Sequence, residues 1–193
     1  MQSEFKNFAL LVLAAMAAFS MAAFVMTDTA HCEDWNSYSP EHAVGSGDDD
    51  WWTAYPDQHE NSGMAVEHLD WVLDALKEKP VLILIHSSNC KPCLTQTPRI
   101  KAAAESFSDD LEYYDMLAEG SGYEKAIGIL DVYNPAGGAQ YVPTTIFITL
   151  AKGSDGTVDV AWHSEIDAMS QEKIDAYVKD SIYYYKQNAA AWI

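Results

Sequence analysis

Apolar positions along the chain change period several times, and each change marks an element. From Gly63 to Lys79, Val66, Leu69, Val72, Leu73 and Leu76 recur at three- and four-residue spacing, which predicts an amphipathic helix. Ser62 is placed to cap it, and Pro80 ends it. Val81–Ile85 is a short apolar run of branched side chains, the pattern of a strand buried on both faces. Lys91–Phe107 is rich in helix formers, with Pro98 expected to kink it. Leu111–Met116 reads as a strand, and Ala118–Leu130 as helix or loop weakened by Gly120, Gly122 and Gly128. Asn134–Gly138 is a turn. Val142–Leu150 is the second strong strand, and a turn at Gly153–Gly156 returns the chain into a partner strand, Val158–Trp162. Asp167 or Ser170 can cap a last helix through Ile174, Tyr177, Val178, Ile182 and Tyr185. This order implies an α/β domain, a central mixed sheet with helices on both faces.

The first part of the chain follows other rules. Phe8–Met26 is apolar apart from Ser20 and carries no charge. At ~1.5 Å per residue, such a helix is about as long as a hydrocarbon core is thick. Lys6 precedes it, and no Lys or Arg follows until Lys77, which orients the N-terminus inside and the remainder outside. Two readings fit: a retained single-span anchor, or a secretory signal that is removed. The domain is then expected outside the membrane, tethered or secreted. Residues 28–61 read as an acidic extension ahead of a domain at 62–193, with a flexible Gly45–Asp50 stretch. Trp35, Tyr38, Trp51, Trp52 and Tyr55 interrupt its polarity. Either they cover one side of the domain, or they form a surface for a partner or the membrane interface. Across 193 residues the net charge is -18, a surface that repels nucleic acid phosphates.

The candidate chemistry sits where the buried strand gives way to a helix. There Cys90-Lys91-Pro92-Cys93 places two sulfurs on one helical turn. Cys90 at the helix start faces unpaired amides and the positive end of the dipole, which favour thiolate. Lys91 adds a positive charge, and Pro92 lacks an amide where none is needed and stiffens the spacing. Cys90 is therefore the expected nucleophile and Cys93 the resolving thiol. A structural disulfide, or a metal site with His86 or Cys32 as a further ligand, are the alternatives for the pair. His163 and Glu165 read as surface residues.

Cys90-Lys91-Pro92-Cys93 at a strand-to-helix junction, Pro98 in the following helix, and Val142-Pro143-Thr144 ahead of the second strong strand form a set. This set resembles the thioredoxin-like thiol-disulfide oxidoreductases over roughly Ser62 to Gln187. The resemblance implies a thioredoxin-like fold and no cofactor beyond a redox-active Cys90–Cys93 disulfide. It also implies a cis-proline at Pro143 beside the cysteines, with the backbone of Val142 available to an extended substrate. His86, Asn89, Lys91, Pro92, Val142, Pro143 and Thr144 are then candidates for tuning or substrate contact. Implied partners are protein thiols or disulfides and an electron donor or acceptor. Departures from the family are Asn89 in place of tryptophan, Lys91 in place of glycine, and Leu84 in place of a buried aspartate. In the family that aspartate is associated with proton transfer at the resolving cysteine. The gap from Cys93 to Pro143 implies an insertion within Ala118–Gln140. A binding or chaperone module and a structural subunit of a membrane assembly are the non-enzymatic alternatives.

Overall fold

A computed structural model describes residues 34–153 and 155–192, all of them in one unit, Glu33–Ile193. Four strands form its sheet: β1 (Val81–His86), β2 (Glu112–Leu117), β3 (Thr144–Lys152) and β4 (Val158–Ile166). Their order across the sheet is β2-β1-β3-β4. β1 runs parallel to β2 and antiparallel to β3, and β3 pairs antiparallel with β4. The helices are α1 (Asp70–Leu76), α2 (Lys91–Ser106), α3 (Tyr123–Tyr133) and α4 (Gln171–Asn188). This is a mixed four-stranded sheet flanked by four helices, a thioredoxin-like arrangement.

The period-two alternation of β1 explains why its run is apolar throughout. Leu82 and Leu84 join Ile100, Ala103, Ile174, Tyr177 and Val178 in the core under α2 and α4. Val81, Ile83 and Ile85 join Val72, Leu76, Ala126, Ile129 and Tyr133 in the core under α1 and α3. A central strand covered on both faces has no position where water would favour a polar residue.

The aromatic segment ahead of the domain is part of this core. The Trp52 N–H donates to the Trp162 carbonyl, the Trp162 N–H donates back to that of Trp52, both at 2.9 Å, and the edge of β4 is bridged. Extended backbone sends neighbouring side chains to opposite sides. Trp51 therefore enters the core under α2 and α4 and Trp52 the other one, and both are buried.

Several elements differ from the sequence pattern. α1 starts at Asp70 rather than Gly63, and Ser62 does not cap it. Gly63 has φ 75°, its N–H donates to the Tyr55 carbonyl at 2.8 Å, and the Tyr55 N–H donates to the Met64 carbonyl at 3.0 Å. This pairing holds Gly63 and Met64 out of helical geometry. β4 extends past Trp162 to Ile166, and α4 is capped by Ser170, whose hydroxyl accepts the Lys173 N–H at 3.1 Å. Asp167 instead turns the chain, with φ 79°. His163, expected at the surface, is fully buried. Its ring is covered by Trp51, Trp52 and Tyr177, which the sequence pattern does not bring near it.

The expected location needs correction. No helix among the described residues is long and apolar enough to cross a membrane. Phe8–Met26, on which the expected anchor or signal rested, and Cys32 lie outside the described residues.

Candidate functional site

β1 ends at His86, and four residues later Cys90 is the N-cap of α2. The Cys93 N–H donates to Cys90 Sγ at 3.1 Å, so the first sulfur caps its own helix. Cys90 and Cys93 form a disulfide with S–S 2.13 Å and Cα–Cα 5.2 Å. Cys90 is partly exposed, whereas Cys93 is only 2% exposed. Pro92, in the first turn, removes an amide that would have no intrahelical partner. Pro98 lies inside α2, which continues past it to Ser106.

The loop before β3 meets the pair from the other side. Cys90 Sγ lies 3.3 Å from the Val142 carbonyl oxygen, and the Val142–Pro143 peptide bond is cis. Two hydrogen bonds hold this loop. The buried Thr144 hydroxyl donates to the Tyr141 carbonyl at 2.7 Å, and the Asp167 N–H donates to that of Pro143 at 2.9 Å. The fold thus brings Cys90, Cys93 and Val142–Thr144 together, with Asn89, Lys91 and Pro92 exposed on the cysteine side. Exposed Leu94 follows the pair in sequence and exposed Tyr141 precedes the proline loop.

Leu84 is fully buried in the core under α2. Two carboxylates occupy its row of the sheet: Asp115 pairs with Leu84 on one side, and Glu165 pairs with Thr145, the partner of Leu84 on the other. Asp115 is held by His86 Nε2 at 2.6 Å and Lys101 Nζ at 2.9 Å. Burial pushes its carboxyl up, but the bonds and charges of Lys101 and His86 outweigh that and hold it below the ordinary range. At Glu165 burial likewise pushes up, and His163 and Lys173 together bring it down. Below α2, the buried Gln96 amide donates to Thr145 Oγ1 at 2.7 Å and its oxygen accepts the Met169 N–H at 2.8 Å.

His86, a candidate for tuning the pair, is thus bound to Asp115. The loop itself is held by Glu119, which the sequence reading passed over. The Glu119 carboxylate accepts the Ser88 N–H, and the Ser88 hydroxyl bonds it at 2.9 and 2.8 Å. These bonds from the Ser88 side chain and backbone hold the Glu119 carboxyl below its usual range. A signal existed: parallel neighbouring strands leave the sheet at the same edge, so the loop after β2 must lie beside the loop after β1.

This arrangement carries a redox-capable disulfide, with one sulfur at a helix start and the other underneath. Among the described residues no cluster of His, Cys, Asp or Glu could hold a metal ion. No family model and no curated protein matches the sequence. Solved structures give partial matches. One is a thiol:disulfide interchange protein of the thioredoxin family from Chlorobium tepidum TLS, at 15% identity over 56% of this chain and 83% of that one, TM-score 0.39. Another is chloroplastic thioredoxin z, at 15% identity over 58% and 85%, TM-score 0.39. A third is the exposed lipoprotein thioredoxin of Streptococcus pneumoniae strain TIGR4, at 18% identity over 53% and 84%, TM-score 0.37. The fold assignment rests on the strand order and register given above.

Proposed function

We propose that this chain is a thiol-disulfide oxidoreductase acting on protein thiols or disulfides through Cys90 and Cys93. The observation that carries the reading is the asymmetry of the two sulfurs. Cys90 is partly exposed at the start of α2 beside the Val142 carbonyl, and Cys93 is buried beneath it. In the reduced protein, unpaired amides of the first helical turn and the helix dipole favour a thiolate at Cys90.

In the reducing direction the Cys90 thiolate attacks one sulfur of a substrate disulfide. A mixed disulfide forms, and the other substrate sulfur leaves as thiolate. Cys93, losing its proton, then attacks Cys90 Sγ and expels the second substrate sulfur. Two electrons pass to the substrate, and the Cys90–Cys93 disulfide is left for a dithiol donor to reduce. The oxidising direction is the reverse, with a disulfide-type acceptor restoring the pair. The Val142 backbone supplies hydrogen-bonding groups for an extended substrate segment. Thr144 holds that loop. Lys91 supports the Cys90 thiolate by its charge.

The test is a redox titration of the full chain against glutathione, with thiol labelling read by mass spectrometry. The expected result is a reversible two-electron transition at Cys90–Cys93, with Cys90 alkylated well before Cys93 across pH. Cys90→Ser should abolish exchange with a disulfide substrate. A pair that never titrates, or faster labelling of Cys93, would sink the reading.

A further inference from the structure

Resting on that function, we propose that Glu119 is a positioning residue for the redox pair: it clamps the Ser87–Asn89 loop and so sets where Cys90 stands relative to Cys93. The loop leaves β1 at its open end and enters α2 at Cys90. Glu119 leaves β2 at the same edge, because β1 and β2 are parallel and His86 pairs with Leu117. Its carboxylate accepts the Ser88 N–H and bonds the Ser88 hydroxyl through both oxygens. One side chain thus fixes both the backbone and the side chain of the residue at the middle of the loop. The exit of β2 is itself fixed, since the Ala118 N–H donates to the His86 carbonyl at 2.8 Å and the Gly122 N–H to that of Glu119 at 3.1 Å.

The lever is short. Ser88 is two residues from Cys90, so their Cα atoms are at most about 7 Å apart. A loop fixed at Ser88 leaves Cys90 little freedom to leave the reach of Cys93, and ring closure depends on that reach. The same proximity puts a negative charge near the sulfur that must become a thiolate. The neighbouring charges are Asp115, joined to His86 and Lys101, Lys125, which lines the same cavity as Glu119 and Asp115, and the exposed Lys91. Glu119 is therefore expected to favour the closed disulfide by geometry and to oppose the free thiolate by charge. These two effects can be separated by substitution. Glu119→Gln keeps an acceptor for the Ser88 N–H and removes the charge. Glu119→Ala removes both.

The full chain and its Glu119→Ala, Glu119→Gln and Ser88→Ala variants are equilibrated with reduced and oxidised glutathione, and Cys90 alkylation is followed against pH. For Glu119→Ala the Cys90–Cys93 disulfide should weaken about three- to tenfold, which is up to ~30 mV for a two-electron couple. Glu119→Gln should restore most of that loss. It should also move the alkylation midpoint down by roughly 0.2–0.4 pH unit, the reach of one screened charge at such a distance. Ser88→Ala, which keeps the backbone bond, should fall between wild type and Glu119→Ala, and it carries the test if Glu119→Ala does not fold. Variants that match wild type in both equilibrium and midpoint overturn the proposal while leaving the thiol-disulfide function standing. So does a change that tracks a lowered unfolding midpoint. A wild-type pair that does not titrate at all removes the function and the proposal with it.

Discussion

Asp180 and Glu119 each tie a loop to a rigid element, at different depths. Asp180, in α4, is fully buried. It accepts the Tyr38 hydroxyl at 2.7 Å, the Glu41 and His42 N–H groups at 3.0 and 2.9 Å, and pairs with His42 Nδ1 at 2.7 Å. All four partners come from the segment ahead of the domain. The His42 ring stacks on one side of this anchor against Tyr177, at 3.8 Å between centroids. Glu119 makes a similar set of bonds to Ser88, but half-buried at the surface. The difference lies in what each bond competes with. A buried carboxylate has no solvent to fall back on, so its partners are obligatory. A half-buried one at the surface can exchange them with water at lower cost, so it can bias a loop without bearing the fold. One carboxylate builds the domain, and the other adjusts a site on it.

The largest effect that would break this contrast is at Asp180. Asp180→Ala strands two amides, a tyrosine hydroxyl and an imidazole, and should cost about 3–5 kcal/mol, the range for breaking a buried pair from one side. Urea unfolding followed by tryptophan fluorescence measures it, because Trp51 lies in the same core. A loss within the scatter of a surface mutation would mean the segment is not anchored as described. Asp180→Asn, which keeps one oxygen acceptor, should lose less.

Acid probes an intermediate depth. His68, packed beside Tyr133 with Nδ1 3.1 Å from its hydroxyl, has its pKa pushed down to about 4 by burial. The unfolded chain takes up this proton near pH 6.5, before the folded one does. The stabilisation is therefore complete above about pH 6.5 and is lost as pH falls from there through the folded value, on the order of 3 kcal/mol in all. The carboxylates Asp115, Glu119 and Glu165, held below their ordinary range, add losses of the same sign at lower pH. His68→Gln should flatten the slope of stability between pH 6.5 and 4. An unchanged slope would mean that His68 is not shielded from water.

The same distinction of depth and distance explains what the sequence disclosed. The β1 run, the cysteine pair and the order of elements were legible, because each is written in neighbouring residues; Pro143 beside the cysteines was implied only by the family resemblance. The cap of α4 was half legible for the same reason: the pattern offered Asp167 or Ser170, and the fold uses Ser170. The late start of α1 was not, since Tyr55 holds Gly63 and Met64 by bonds that no local pattern encodes. Nor was the burial of His163, which needs Trp51, Trp52 and Tyr177 from two other parts of the chain. The role of Glu119 needed the knowledge that β1 and β2 are parallel neighbours. Asp180 reads in sequence as one more acidic residue of a helix, and only the returning segment reveals its four partners.

The smallest effect lies at Asp115, and it sharpens the contrast most. Asp115 joins the site to α2 through His86 and Lys101, and its side chain is 32% exposed, nearer the surface than Asp180. Partly exposed ion pairs contribute little, because water and salt compete for both charges. Asp115→Asn should therefore cost no more than about 1 kcal/mol, a loss that fades in molar salt. A larger, salt-insensitive loss of stability would place Asp115 with Asp180, as a member of the core. A small loss that molar salt removes places it with Glu119, among groups that tune the loop beside Cys90 while the core beneath them stays unchanged.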